Sequence, residues 1–148
     1  MREIVLDTET TGLEPRDGHR IVEIGAVELW HQMPTGKSYH QYINPERPMP
    51  ADAFAVHGIG DEFLTDKPVF KTIAGAFLDF IGTAPLVIHN AAFDMKFLNA
   101  ELEWAGVSVL PSDRAVDTLA MARRRSAAAM CRWTRRRSPV SPARCAAR

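Results

Sequence analysis

The chain has 148 residues, 46% hydrophobic and 24% charged, with 18 Lys and Arg against 18 Asp and Glu, a length that fits one domain with a substantial core. Its two cysteines, Cys131 and Cys145, are too few for a disulfide framework, and no apolar run is long enough for a signal-peptide core or a membrane span, so the expected location is the cytoplasm. The neutral total conceals a division: residues 1–122 carry nine Lys or Arg and all 18 acids, net −9, whereas 123–148 carry nine Arg and no acid, net +9.

Ile4, Val5 and Leu6 run into Asp7-Thr8-Glu9-Thr10-Thr11-Gly12. The apolar run predicts a buried strand, and Thr-Thr-Gly its exit turn. On a strand, residues two apart share a face, so Asp7 and Glu9 project side by side. Two adjacent carboxylates at a buried strand end require water or a cation to relieve their repulsion. Mg²⁺ and Mn²⁺ prefer such oxygen donors. On these residues alone a solvated acidic end and a metal site both stay open.

A second strand is expected within Gly18–Leu29, a turn at Met33-Pro34-Thr35-Gly36, and a returning strand over Ser38–Ile43. Three antiparallel strands with the acidic one first would thus fill the opening 44 residues. Asn44-Pro45 and Pro48-Met49-Pro50 mark a loop. A short helix-like segment follows from Asp52 to Ile59, cut off by Gly58 and Gly60. Phe70, Ile73, Phe77, Phe80 and Ile81 recur at helical spacing, with Gly82 where a C-terminal cap belongs. Pro85–Ile88 reads as a short buried strand. After His89, Asn90 is placed as N-cap of a helix whose first turn holds Asp94. Asp94 would therefore stand near the strand's carboxyl end, where open α/β sheets place ligands. Asp117 reads as the N-cap of a further helix. The sum is an α/β fold, a mixed sheet with helices packed on it.

Asp7-Thr-Glu9-Thr-Thr-Gly, Val56-His57-Gly58-Ile59 and His89-Asn90-Ala-Ala-Phe-Asp94, in that order, resemble the DEDD superfamily of 3′–5′ exonucleases, and within it the epsilon-type proofreading family. The resemblance spans residues 3 to about 122. It implies a ribonuclease-H-like mixed five-stranded sheet flanked by helices, C-terminally incomplete here. It also implies two divalent cations, Mg²⁺ or Mn²⁺, in a two-metal hydrolysis releasing mononucleotides from single-stranded or frayed DNA 3′ ends. Asp7 resembles the bridging metal ligand, Glu9 a ligand of one metal near the terminal 3′-hydroxyl, and Asp94 the third acid, acting through water. These three are the implied catalytic and metal residues. Asp7, Glu9, Asp52 and His57 are the implied contacts to the terminal nucleotide. The end base is expected against the apolar wall of Thr10–Leu13 and Phe93. His57 as a mere helix cap, and His89 and Asn90 as braces for the turn before Asp94, are the structural alternatives. The family partner is the catalytic subunit of DNA polymerase III, whose binding segment is not recognisable here.

The family's third motif, a His followed five residues later by an Asp, supplies the general base and a further metal ligand. Residues 118–148 contain no His, Asp or Glu. Domain limits are therefore read as 1–122 for an incomplete exonuclease domain and 123–148 for a basic Arg/Ala/Ser/Pro-rich tail. The tail is either a nucleic-acid-binding extension or the product of a lost coding frame near Arg125. Only the second explains the missing motif. Two further functional readings compete: an RNA-directed exonuclease of the same superfamily, and a non-catalytic module that binds nucleic-acid ends. Resequencing the gene is expected to show a His-x-x-x-x-Asp pattern in another frame after codon 122. Its absence from both alternative frames would leave the basic extension.

Overall fold

A computed structural model gives the fold and describes residues 1–125. The basic segment and the proposed frame change beyond Arg125 lie outside the described residues. Strand β1 (Arg2–Thr10) forms antiparallel pairs with β2 (Ile21–Trp30), which pairs antiparallel with β3 (Met33–Tyr42). Strands β4 (Leu86–Ile88) and β5 (Ala115–Asp117) add in parallel, giving the order β3-β2-β1-β4-β5. The mixed five-stranded sheet and the antiparallel opening are as expected from sequence.

The hairpin turn is not where Met33–Gly36 placed it. It is the pair His31 and Gln32, with φ of 51° and 66°, closed by the Trp30–Met33 pairing. Two-residue hairpin loops require positive φ, which here falls on residues other than the usual Gly or Asn, so no turn signature marks it. Pro34-Thr35-Gly36 instead accompanies the register shift opposite Val27–Leu29, an irregularity inside the ladder.

Helices α1 (Ala51–His57) and α2 (Asp61–Leu64) follow the loop, then α3 (Phe70–Ile81) and α4 (Ala91–Trp104). Phe70, Ile73, Phe77 and Ile81 of α3 and Phe97, Leu98 and Leu102 of α4 pack with Ile4, Leu6 and Ile24 of the sheet in one core. A smaller cluster, Val22, Ile59 and Leu64 with Tyr42 and Met49, lies under α1 and α2. Arg2 and Arg114 both donate to the Ile81 carbonyl, closing the end of α3 where the chain turns into β4. Opposite the main core, Val27, Val5, Val87 and Val116 are register neighbours across four strands. Val5, Val27 and Val116 stay 36–40% exposed among the described residues. No helix of the described residues is long and apolar enough to cross a membrane.

One buried ion pair ties α4 to the start of β2. Glu101, 1% exposed, receives Arg20 Nε and Nη2 at 2.8 Å each and the Ile21 N–H at 3.1 Å. Removing the guanidinium would strand a buried carboxylate. Arg20→Ala is therefore expected to lower stability by about 3–5 kcal/mol, read from the urea midpoint. A loss under ~1 kcal/mol would show that water compensates the charge.

Candidate active site

Parallel pairing of β1 with β4 ends at Val5–Val87, and Leu6 to Thr10 run on beyond it. Alternation directs Leu6, Thr8 and Thr10 to the buried side and Asp7 and Glu9 to the other. Past β4, Asn90 adopts the left-handed conformation, φ 61° and ψ 51°, and turns the chain into α4. Asn90 occupies the N-cap position expected of it, but its side chain makes no cap hydrogen bond. Its carbonyl instead accepts the Phe93 N–H at 2.9 Å. Asn's tolerance of positive φ, not its capping chemistry, is what the position uses.

That turn delivers Asp94, 3% exposed, against the free end of β1, where the Thr8 hydroxyl donates to its carboxylate at 2.7 Å. Burial pushes the Asp94 carboxyl up to about 6; the Asp7 charge adds to the rise and the Thr8 hydroxyl opposes it. Burial, then Asp7, likewise raises Glu9, with His57 opposing. Asp7 thus acts on both other predicted acids, on Glu9 along its own face of β1 and on Asp94 from the face opposite Thr8.

None of the three forms an ion pair among the described residues, although Glu28 and Glu101 do. Hard oxygen donors with uncompensated charge suit a divalent cation. Yet among the described residues no group of three or more His, Cys, Asp or Glu is spaced to enclose one.

Beside this strand end opens a cleft of about 520 Å³. Leu13, Phe93, Pro50, Ala53 and Val56 supply its apolar lining, and Glu9, Asp52 and His57 stand among its polar groups. Asp7 and Asp94 are not part of that lining. Asp52 is an exposed residue of the first turn of α1. His57 ends α1, and its Nδ1 accepts the Ile59 N–H at 3.1 Å, which leaves the proton of the neutral ring on Nε2. Nε2 is buried and has no hydrogen-bond partner among the described residues. Gly58, not His57, is the C-cap of α1; His57 braces the turn that follows and keeps an unused donor beside Glu9.

Other predicted residues serve the frame. His89 Nδ1 lies 3.1 Å from Thr118 Oγ1, bracing the end of β4 against the helical residues 118–125. Asp117 caps that helix, accepting from the Leu119 and Ala120 N–H groups, and those N–H groups hold its carboxyl below the usual range. Sequence reading missed Thr8 and His19. A Cβ on Gly12 would lie 2.4 Å from the His19 ring, so the glycine admits the histidine to the cleft wall. Thr8 carried one signal, its place between two acids; His19 carried none.

The sequence profile of the exonuclease family matches residues 4–137. DNA polymerase III subunit epsilon of Rickettsia felis is 60% identical over 126 residues, 83% of this chain and 55% of that protein. The Escherichia coli K12 subunit of the same name is 46% identical over 130 residues, 83% and 54%. The chain spans about half the length of these curated relatives. Among solved structures, exonuclease X in complex with 5′ overhanging duplex DNA superposes with a TM-score of 0.64 at 27% identity, over 82% of this chain and 62% of that one. The fold also matches the metal-free E. coli ExoI–ssDNA complex, TM-score 0.75 at 16% identity, over 85% and 30%.

Because Asp94 binds its proton more tightly folded than unfolded, its contribution to stability is greatest in acid and is lost as pH rises from about 4 through about 6. Asp94→Asn is expected to stabilise the metal-free chain at pH 8 by on the order of 2–3 kcal/mol, a gain that fades toward pH 4. Denaturation midpoints at the two pH values check it; an equal effect at both would mean that the carboxylate is not strained.

Proposed function

The chain belongs to the exonuclease family, and from that premise we propose that residues 1–122 are the nuclease portion of an epsilon-type proofreading enzyme. Its substrate is a single-stranded or frayed DNA 3′ end, from which mononucleotides are released. The observation that carries this reading is the nucleotide-sized cleft in which Leu13, Phe93 and Val56 stand beside Glu9, Asp52 and His57. A base needs only a flat apolar surface to stack on, so such a cleft admits any frayed end without reading its sequence.

In this reading Leu13 and Phe93 hold the terminal base, and the unpaired Nε2–H of His57 donates to an oxygen of the terminal nucleotide. Glu9 stands closest to the terminal 3′-hydroxyl. Asp7, Glu9 and Asp94 would hold two divalent cations, Mg²⁺ or Mn²⁺, once drawn together by them. When bound, such ions activate the attacking water and stabilise the departing oxygen. Thr8 keeps the Asp94 carboxylate turned toward β1. The family partner, the polymerase III catalytic subunit, enters through the relatives' name alone, and a cytoplasmic location follows from that role.

Full catalysis asks for a base and a fourth acid, and residues 118–148 hold neither. Loss of the base alone costs ~10²–10⁴-fold in rate. That gap favours one second reading, a module that binds a 3′ end without cutting it.

A 5′-labelled single strand incubated with the whole chain and Mg²⁺ or Mn²⁺ separates the readings. The expected product is slow, stepwise shortening from the 3′ end, abolished by Asp7→Asn and by chelation. Saturable 3′-end binding with no mononucleotide released would identify the binding module, and preference for a short RNA an RNA-directed enzyme. Internal cuts or 5′ shortening would refute the reading altogether.

A further inference from the structure

The cleft's apolar wall depends on a loop whose outermost side chain, Leu13, is 77% exposed and has little packing of its own. One residue reaches that loop from α4. Lys96 Nζ donates to the Leu13 carbonyl at 2.6 Å and to Glu14 Oε2 at 3.1 Å. The other oxygen of Glu14 faces the Arg16 N–H at 3.5 Å, so the turn is tied on both sides. The same ammonium stands 5.3 Å from the ring centroid of Phe93 and 5.7 Å from that of Phe97. Phe97 is fully buried and anchors α4, whereas Phe93 lines the cleft.

As an ion pair Lys96–Glu14 would matter little, since both side chains are about two-fifths exposed and salt screens them. The bond to the Leu13 carbonyl is different. It is charge-assisted, and it joins the loop backbone to a rigid helix. Through it one side chain spans both apolar walls.

We propose that Lys96 is a positioning residue that fixes the separation of Leu13 from Phe93, and so sets how tightly the cleft grips a terminal nucleotide. The inference rests on the reading of the cleft given above. Lys96 itself is not among the cleft's lining residues and touches no reacting atom. Without its ammonium the loop is released from α4 and the two walls part, while the acids at the end of β1 keep their places.

The test compares Lys96→Met, which keeps the aliphatic stem against Phe97, with Lys96→Arg, which keeps the charge, both in the whole chain. Lys96→Met is expected to lower the NMR order parameters of Leu13 and Glu14 from about 0.85 to below about 0.6. It should also weaken binding of a 5′-fluorescein oligothymidylate with a free 3′-hydroxyl by roughly tenfold, with the urea midpoint unchanged. Lys96→Arg should restore both. Unchanged order parameters, or an affinity loss that the arginine variant shares in full, would overturn the proposal. If the unmodified chain shows no preference for a free 3′ end, the cleft reading falls and the grip assigned to Lys96 falls with it. A loop that still loosens in Lys96→Met would then locate the error in the ligand and not in the strap.

Discussion

Strand β1 pairs in parallel with β4 only as far as Val5, and the candidate site is a consequence of what runs on past it. Leu6 to Thr10 keep their antiparallel partners on β2 but have no neighbouring strand on the β4 side. Past Val5, Thr8 reaches out from the core face of β1 and donates to Asp94 in the first turn of α4. The left-handed Asn90 is what lets so short a strand turn at once into a helix.

Electrostatics separates the acids that hold the fold from those that do not. Glu28 is bound by Arg2 and Thr35, and Glu101 by Arg20 and the Ile21 N–H. Each carries its partner with it into the protein, as buried charge requires. Asp7, Glu9 and Asp94 have no cationic partner among the described residues, and burial together with mutual repulsion raises the two whose shifts are resolved. The chain thus neutralises its structural acids internally and leaves one cluster strained. A cation at that end would relieve the strain that the fold leaves.

Legibility in the sequence followed the range of the interaction. The periodicity of Phe70, Ile73, Phe77 and Ile81 and the cap at Gly82 were plain, because propensity and burial agree there over three turns. The acids of β1 were plain because alternation is local. The turn at His31–Gln32 was not, since its positive φ values fall on residues that seldom adopt them. Strand β5 has three residues and no alternation to detect, and only its parallel pairing with β4 makes it a strand. Thr8 and Lys96 find their partners 86 and 83 positions away, and no local pattern announces such contacts. His57 was legible as a candidate by motif. Its tautomer follows only from the Ile59 N–H bond.

The valine stripe and the Asp7 carboxylate share one face of the sheet. Val5 and Asp7 are two apart on β1, so they rise from the same face. Asp7 stands opposite Gly25, which has no side chain and open space above it. Val27, Val87 and Val116 continue that face across the sheet, away from the core under α3 and α4. A segment that packed on the valines would bury apolar surface and would necessarily approach the Asp7 carboxylate. Covering the stripe would therefore bring a segment up to Asp7, and residues 118–148 could bring it no His, Asp or Glu.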